Sequence, residues 1–324
     1  MCASGIGELA GVMEKEFVVE CLVPILKELT EDEQDTIRVI CIERMGGIVK
    51  ALSKEENQKL MLGVILKIFE DKSWKVRLSM AKHFSELSQS FTREIVDTNF
   101  VTKYTTLLKD IEADVRTAAI TSLKKCLHTI SPENIITILT PQLHTMMHDT
   151  SFNVRAGLAE SLCEICKVIK KDAAMTKVVP ILVKLLKDEH PGVKMGVLNG
   201  LESMASSIGS ELISGSILTS LESLMKEAKW RIRHAVIGLM SNLAKEFGKD
   251  FYTKNIESIF IQFLTDNVAA VREAGIEKVE VLANTFKADW VIHSYIPRAL
   301  TVLNREKLGY LYRIATLHSI AVIT

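Results

Sequence analysis

The chain has 324 residues, of which 48% are hydrophobic, 25% charged and only 6% aromatic, with 16 Gly and 6 Pro. Few turn residues and few strand-forming aromatics exclude a β-sandwich or barrel, and the apolar content excludes extensive disorder. Forty basic side chains balance forty acidic ones, which leaves no basic excess for a nucleic-acid partner.

No apolar run reaches the length needed to cross a bilayer, and no N-terminal run has the form of a signal peptide. Cys2, Cys21, Cys41, Cys126, Cys163 and Cys166 are irregularly spaced, which argues against a disulfide framework. The expectation is a reduced, soluble protein of the cytoplasm, with the nucleus as a second compartment. Residues 1–70 carry 13 acidic and 8 basic side chains, and residues 225–324 carry 14 basic and 10 acidic. That gradient is weak, and solvated helix faces account for it as well as partner preference does.

In chain order the elements repeat. An acidic residue is followed six positions later by a basic one in Asp32–Arg38, Asp71–Arg77, Asp110–Arg116, Asp149–Arg155, Asp188–Lys194, Glu227–Arg233 and Asp266–Arg272. Each step is 39 residues, and an eighth unit follows two residues late at Arg313, without the acidic partner. Apolar residues stand one before the basic marker (Ile37, Val76, Val115, Val154, Val193, Ile232, Val271). Others stand four and seven after it, as in Ile42 and Met45, Ala81 and Phe84, or Ile120 and Leu123. These offsets trace one face of an α-helix, here termed helix B. Upstream in each unit lies a second apolar helix, helix A, as in residues 176–187. Pro24, Pro141, Pro180 and Pro297 share one column in it, where Pro is expected to start or bend the helix.

One such pair cannot bury its own apolar face, but stacked pairs can. The spacing therefore predicts an all-α solenoid, a superhelix of stacked antiparallel helix pairs with a period of 39. It would form a single domain over residues 1–324, with about eight repeats and a leading half-repeat. The Asp of the turn is expected to cap helix B, and the basic residue to bridge to the acidic residue of the adjacent unit, which makes a charge ladder.

The period, the Pro in helix A and the Asp…Val-Arg opening of helix B resemble HEAT repeats. The segments Asp71-Lys72-Ser73-Trp74-Lys75-Val76-Arg77, Asp110 to Arg116, Glu227-Ala228-Lys229-Trp230-Arg231-Ile232-Arg233 and Tyr310 to Arg313 are similar to those of the scaffold (A) subunits of protein phosphatase 2A. The resemblance runs through essentially the whole chain. It implies that residues 2–20 match the second helix of the family's fifth repeat and the eight marked units its repeats six to thirteen. The ends of the family pattern, including two repeats after Arg313, are then missing.

Three positions before the marker the column reads Asp35, Trp74, Ala113, Phe152, Pro191, Trp230, Ala269 and Tyr310. Four of the eight are aromatic in an aromatic-poor chain, and a turn position keeps them on one ridge, where large rings anchor interfaces. Lys75 and Arg231 place a cation beside each Trp. The alternative is that each ring folds back on its own repeat. The resemblance implies that Trp230, Arg231, Arg233, Asn267, Tyr310 and Arg313 face a phosphatase catalytic subunit. It implies that Asp35, Asp71, Trp74, Lys75 and Arg77 face a regulatory B-type subunit. Two departures stand out: Lys75 beside Trp74 and Lys194 in the ladder occupy places where Arg is usual.

Enzyme-like patterns are weak. Cys163-x-x-Cys166 lies on one helix B without a second pair and reads as buried structural thiols. His144 and His148 have zinc-compatible spacing but enclose Thr-Met-Met with no catalytic Glu, and read as solvated histidines. The chain is therefore expected to be a non-enzymatic scaffold with no cofactor, metal, membrane, nucleic-acid or small-molecule partner. Its partners would be a phosphatase catalytic subunit and a regulatory subunit. The alternatives are a HEAT-repeat regulator of the type-4 phosphatase, or an importin- or condensin-like adaptor binding on the concave helix-B surface.

Overall fold

The computed structural model describes residues 2–213 and 215–323, and these form helices and turns with no strand among them. The chain divides into two compact units, Met1–Ala173 and Ala174–Thr324.

In the first unit a leading helix, Cys2–Ala10, is followed by four helix pairs whose B helices are Asp35–Ala51, Trp74–Gln89, Ala113–Cys126 and Phe152–Val168. Each B helix packs on the next, and Cys2–Ala10 packs on the first of them. The predicted columns lie in these contacts. Ile42, Ala81, Ile120 and Ala159 are buried, as are Met45, Phe84, Leu123 and Leu162. Phe69, Phe84, Phe91, Phe100 and Tyr104 form one cluster of edge-on and tilted rings, and the Tyr104 hydroxyl donates to the Ala119 carbonyl.

In the second unit the B helices begin at Pro191, Trp230, Ala269 and Tyr310. Two of them run into the following helix through a single left-handed residue, Gly248 (φ 82°) and Lys287 (φ 67°). The same columns are buried at Leu198, Ile237 and Ile276 and at Leu201, Met240 and Val279. Gly275 is the exception of its column, three after the marker, which elsewhere holds Cys41, Met80, Ala119, Leu158, Val197 and Val236. The ring of Phe263 occupies the space a Cβ at Gly275 would need, so a large residue on helix A is matched by the absence of one on helix B.

Helix A is straight in neither unit. Wide turns at Val18–Leu22, Val96–Phe100, Ile135–Leu139, Ala174–Val178 and Val291–Tyr295 have π geometry. Pro24, Pro141, Pro180 and Pro297 are each the second residue after such a turn, so the Pro column marks a bend and not a start. Thr102 holds the same place in one repeat without Pro, and the turn is there too, whereas the units of Gly63, Thr219 and Ser258 have neither Pro nor a π turn before that place. Pro in this column is therefore not required for the turn but occurs only with it, where the backbone N–H is already displaced from its helical partner. Helix A starts are capped by side chains: Ser53 and Glu56 form a reciprocal capping box, and Thr92 and Ser131 accept from the N–H three residues on.

Candidate functional site

The turn between helix A and helix B carries the ladder. In the first unit Arg38 donates from Nε and Nη2 to the two carboxylate oxygens of Asp71, both at 2.8 Å. Arg77 makes the same fork to Asp110 at 2.5 and 3.0 Å, and Arg116 to Asp149 at 2.7 and 2.9 Å. In the second unit Arg233 forks onto Asp266 at 2.6 and 2.8 Å. The partner is always 33 residues ahead, one period less the six-residue gap, so the basic residue of one repeat holds the acidic residue of the next. The remaining nitrogen, Nη1, turns back to its own turn, to the carbonyls of Asp71 for Arg77, Asp110 for Arg116 and Glu227 for Arg233. Hydrogen bonding to Asp, then the surrounding carboxylates, raises the pKa of Arg38, Arg77, Arg116 and Arg233 against their burial. Burial pushes the Asp110 and Asp149 carboxyls up. The Arg forks, backbone N–H groups and nearby charges outweigh it and hold both below the ordinary carboxylate range.

The acidic residue does not cap helix B as expected. Its Oδ1 accepts the N–H two residues ahead, from Ser73 to Asp71, Glu112 to Asp110, Ser151 to Asp149, His190 to Asp188 and Val268 to Asp266. That is an Asx turn, which shapes the chain before the helix; Oδ1 accepts the N–H together with one arm of the Arg fork, and Oδ2 accepts the other arm. At the weakest rung, Lys194 makes a single contact of 2.5 Å to Glu227.

This ladder engages three of the proposed contact residues. The Asp71, Arg77 and Arg233 side chains are largely buried. Arg233 bonds Asp266, the Asn267 side-chain oxygen and the carbonyls of Glu227 and Ala228 through all three of its nitrogens. They belong to the frame that supports the turns.

The ridge itself is aromatic and open. Trp74, Phe152, Trp230 and Tyr310 are each the first residue of a helix B. Trp74 is 38%, Phe152 41% and Tyr310 66% exposed, so part of each ring meets solvent. Trp230 is half-buried, with the Arg231 guanidinium 4.8 Å from its ring centre and His234 edge-on to it. Lys75 does not pair with Trp74 in this way. It lies 3.6 Å from Asp35, whose carboxylate also accepts from Ser73 Oγ at 3.0 Å. The Ser73 bond is the largest influence holding the Asp35 carboxyl low, and Lys75 adds to it. Asn267 is exposed beside Asp266, and Arg313 is exposed one helical turn along from Tyr310. Arg272, with no acidic residue ahead of it, places its guanidinium 5.7 Å from the Tyr312 ring centre, a cation–π contact where the other repeats have a carboxylate.

The sequence reading passed over Ile111, which is 87% exposed in the turn between Trp74 and Phe152. Its column, five before the marker, holds Glu33, Lys72, Thr150, Glu189, Ala228 and Asn267 in the other regularly spaced units, so a large apolar Ile in that mostly polar column was itself a signal. It also passed over Glu257, which is buried and accepts from Trp290 Nε1 at 3.1 Å and Ser294 Oγ at 2.6 Å, with Arg298 Nε 2.9 Å from its other oxygen. Cys163 and Cys166 are buried in their helix. Burial pushes the Cys166 thiol up to about 12 and Cys163 well above its usual value. His144 and His148 are exposed, and no group of three potential metal ligands occurs among the described residues.

A groove lies on the helix-B side between Asp35–Ala51 and Trp74–Gln89. It is lined by Val39, Ile40 and Leu78, with Glu43, Lys75 and Lys82 at its rim.

A sequence model of the PPP2R1A-like HEAT repeat matches residues 93–168. No curated protein sequence matches the chain. Among solved structures, importin beta in an ammonium sulfate condition superposes with a TM-score of 0.67 at 15% identity, covering 99% of this chain and 43% of that one. The karyopherin Kap121p, bound to the extreme C-terminus of the protein phosphatase Cdc14p, superposes at 0.55 and 15% identity, covering 99% and 39%. An engineered protein does so at 0.53 and 18% identity, covering 99% and 84%. The chain thus spans about two fifths of the length of these karyopherins. With the repeated helix pair, the Asp–Arg ladder and this likeness of fold together, the chain is a HEAT-repeat protein, an all-α solenoid.

Proposed function

We propose that the chain is a non-enzymatic scaffold of a type-2A protein serine/threonine phosphatase, working in the cytoplasm and nucleus. The observation that carries the reading is the solvent-reaching aromatics at the first position of helix B in each unit, Trp74 and Phe152 in the first and Trp230 and Tyr310 in the second, beside the rungs of a buried ladder. Trp230, Arg231, Asn267, Tyr310 and Arg313 form the contact set for a catalytic subunit. Asp35, Trp74 and Lys75 form the set for a regulatory subunit, with Ile111 and Phe152 continuing the ridge. The mechanism is positional: two partners on one frame meet at raised effective concentration and in fixed geometry. The match of residues 93–168 to the PPP2R1A-like repeat supports this choice among HEAT proteins.

The test is capture of a purified type-2A catalytic subunit by the chain and by a Trp230→Ala, Arg231→Ala variant. Removing an interface aromatic and its cation is expected to weaken binding at least tenfold. Equal capture by both proteins removes the catalytic subunit from the ridge. A second reading is an adaptor of the karyopherin kind, favoured by the apolar groove on the helix-B side and by the solved neighbours. Under that reading Ile40→Glu abolishes cargo binding and the Trp230 variant leaves it intact.

A further inference from the structure

Fifteen residues after the marker stands the residue that joins helix B to the helix A that follows. In the first unit three members of this column, Ser53, Thr92 and Ser131, have extended backbone at φ −70°, −73° and −70°, and each hydroxyl caps the next helix. In the second unit the column is Gly209, Gly248 and Lys287, at φ 75°, 82° and 67° with ψ 164°, 177° and −177°. That combination of angles is open to glycine, and a residue with a Cβ is strained in it. A Cβ at Gly209 or Gly248 would meet no atom within 4 Å, so glycine at these places answers to φ and not to space. Lys287 therefore has room for its side chain but stands on backbone made for glycine. A lysine also has no acceptor with which to cap the next helix.

Such a conformation persists where its surroundings over-determine it, and here they do. Trp290, three residues on, is fully buried against the rings of Tyr252, Phe286 and Tyr295. Its Nε1 donates to Glu257, which also accepts from Ser294 Oγ and lies 2.9 Å from Arg298 Nε. Glu257 stands fifteen before the marker, in a column that elsewhere holds Val23, Leu62, Val101, Thr140, Val179 and Leu218. The polar clamp is thus a departure from the repeat, set beside the strained residue. Asp289, two after Lys287, pairs with Lys249, the residue after Gly248 at the preceding junction.

We propose that the Lys287 junction is a clamped hinge. The Trp290–Glu257 clamp holds the backbone of Lys287 in its strained form, and residues 288–303 part from the preceding helix pair at this point more readily than at the glycine junctions of the same unit. Parting relaxes the strain, which lowers the work of changing the angle between successive pairs. The turn ridge takes no part in it, so the hinge stands or falls apart from the scaffold reading.

Amide hydrogen exchange of the full chain tests it with three variants. Lys287→Gly should raise the protection of residues 288–303 about fivefold, the strain removed less the greater freedom of glycine in the open state. Lys287→Ala removes the ammonium and keeps a Cβ, and should stay within about twofold of the parent. Gly248→Ala should act in the opposite sense at the preceding junction and lower the protection of residues 249–260. All three should leave Pro191–Ile208 as in the parent, the mark of a local opening. No gain in Lys287→Gly overturns the proposal, because the backbone is then unstrained. An equal gain in Lys287→Ala does so too, by assigning the effect to the charge. A gain shared by Pro191–Ile208 would make the whole unit the opening element, and unchanged protection in Gly248→Ala would mean that the column makes no demand for glycine; either result also overturns it.

Discussion

Replacing Asp110 with Ala tests whether the ladder is a structural frame. Arg77 and Asp110 have side chains only 16% and 6% exposed. Truncating Asp110 removes both arms of the fork, at 2.5 and 3.0 Å, and the acceptor of the Glu112 N–H. Arg77 keeps Nη1 on the carbonyls of Asp71 and Lys72, but Nε and Nη2 are left in a largely dry site. Breaking one partner of a buried pair costs about 3–5 kcal/mol, most of it the uncompensated charge. The solvent that still reaches Arg77 places this case at the lower end, about 3 kcal/mol. Replacing both partners, Arg77→Met with Asp110→Leu, should cost much less, because no charge is then stranded. A repeat array opens locally, so the assay is amide hydrogen exchange read over Trp74–Gln89 and Ala113–Cys126, supported by urea unfolding. A loss of about 3 kcal/mol is a slowing factor of roughly 150 removed from those helices. A double variant as destabilised as Asp110→Ala, or a single variant within about 0.5 kcal/mol of the parent, refutes the argument.

The same rung sets a pH dependence. The folded-state pKa values of Asp110 and Asp149 lie below the ordinary carboxylate value, which is about 3.9 unfolded. Their contribution is therefore complete above that value and is lost as pH falls through the lower folded pKa. Exchange protection of Ala113–Cys126 should hold down to about pH 4 and decline below it, and Asp110→Asn should flatten part of that decline.

Other perturbations follow from the packing. Lys194→Arg with Glu227→Asp would convert the single-contact rung to a fork and restore the Asx turn, raising exchange protection of Trp230–Asn255 by about 1 kcal/mol; no gain would mean that the junction is not limited by its rung. Gly275→Ala sets a methyl against the Phe263 ring and should cost about 1–3 kcal/mol, with Phe263→Leu restoring part of it in a double-mutant cycle by thermal unfolding; additivity of the two changes would contradict the size exchange. Glu257→Leu strands the Trp290 N–H and Ser294 hydroxyl and should lower the midpoint of unfolding, while Glu257→Gln should recover much of it. Thiol labelling of the native chain should modify half-buried Cys21 well before Cys41, Cys126, Cys163 or Cys166.

The solenoid was legible because a period multiplies a weak signal. One apolar residue four after a marker says little, but seven in a row, Ile42 to Ile276, define a face. The Asp–Arg ladder was legible for the same reason, down to the adjacent-repeat partner. What the sequence left open were single departures and exchanges between columns. Gly275 is intelligible only with Phe263 in view, and Tyr312 takes the carboxylate's place before Arg272 only because the last unit is shifted by two residues. Lys75 was set beside Trp74 on sequence adjacency, as Arg231 is beside Trp230, yet its ammonium reaches Asp35 in the preceding turn instead. The Asp was expected to cap the helix because capping residues occupy such places. The turn instead has two residues more than a cap needs, so the carboxylate meets the N–H two ahead while both its oxygens take the fork of the neighbouring Arg. Glu257 had no periodic counterpart to announce it.

The ladder and the ridge are two uses of one turn, and their chemistry differs for a physical reason. A residue six before the helix-B arginine looks toward the neighbouring repeat, where water is excluded and an Arg fork is strong. A residue three before it begins the helix and points away from the stack, where a large ring meets solvent or a partner. Buried polar bonds at the first position fix the spacing of successive turns. Rings at the second can therefore be placed at repeat-length intervals without each needing its own support. Ring identity at Trp74, Phe152, Trp230 and Tyr310 can then change with little effect on folding, whereas Asp71, Asp110, Asp149 and Asp266 cannot. Trp74→Ala and Trp230→Ala should thus leave exchange protection of their helices nearly unchanged while altering binding, the reverse of Asp110→Ala. A Trp74→Ala protein that loses protection over Trp74–Gln89 as fully as the Asp110 variant would mean that ring and rung share one structural duty.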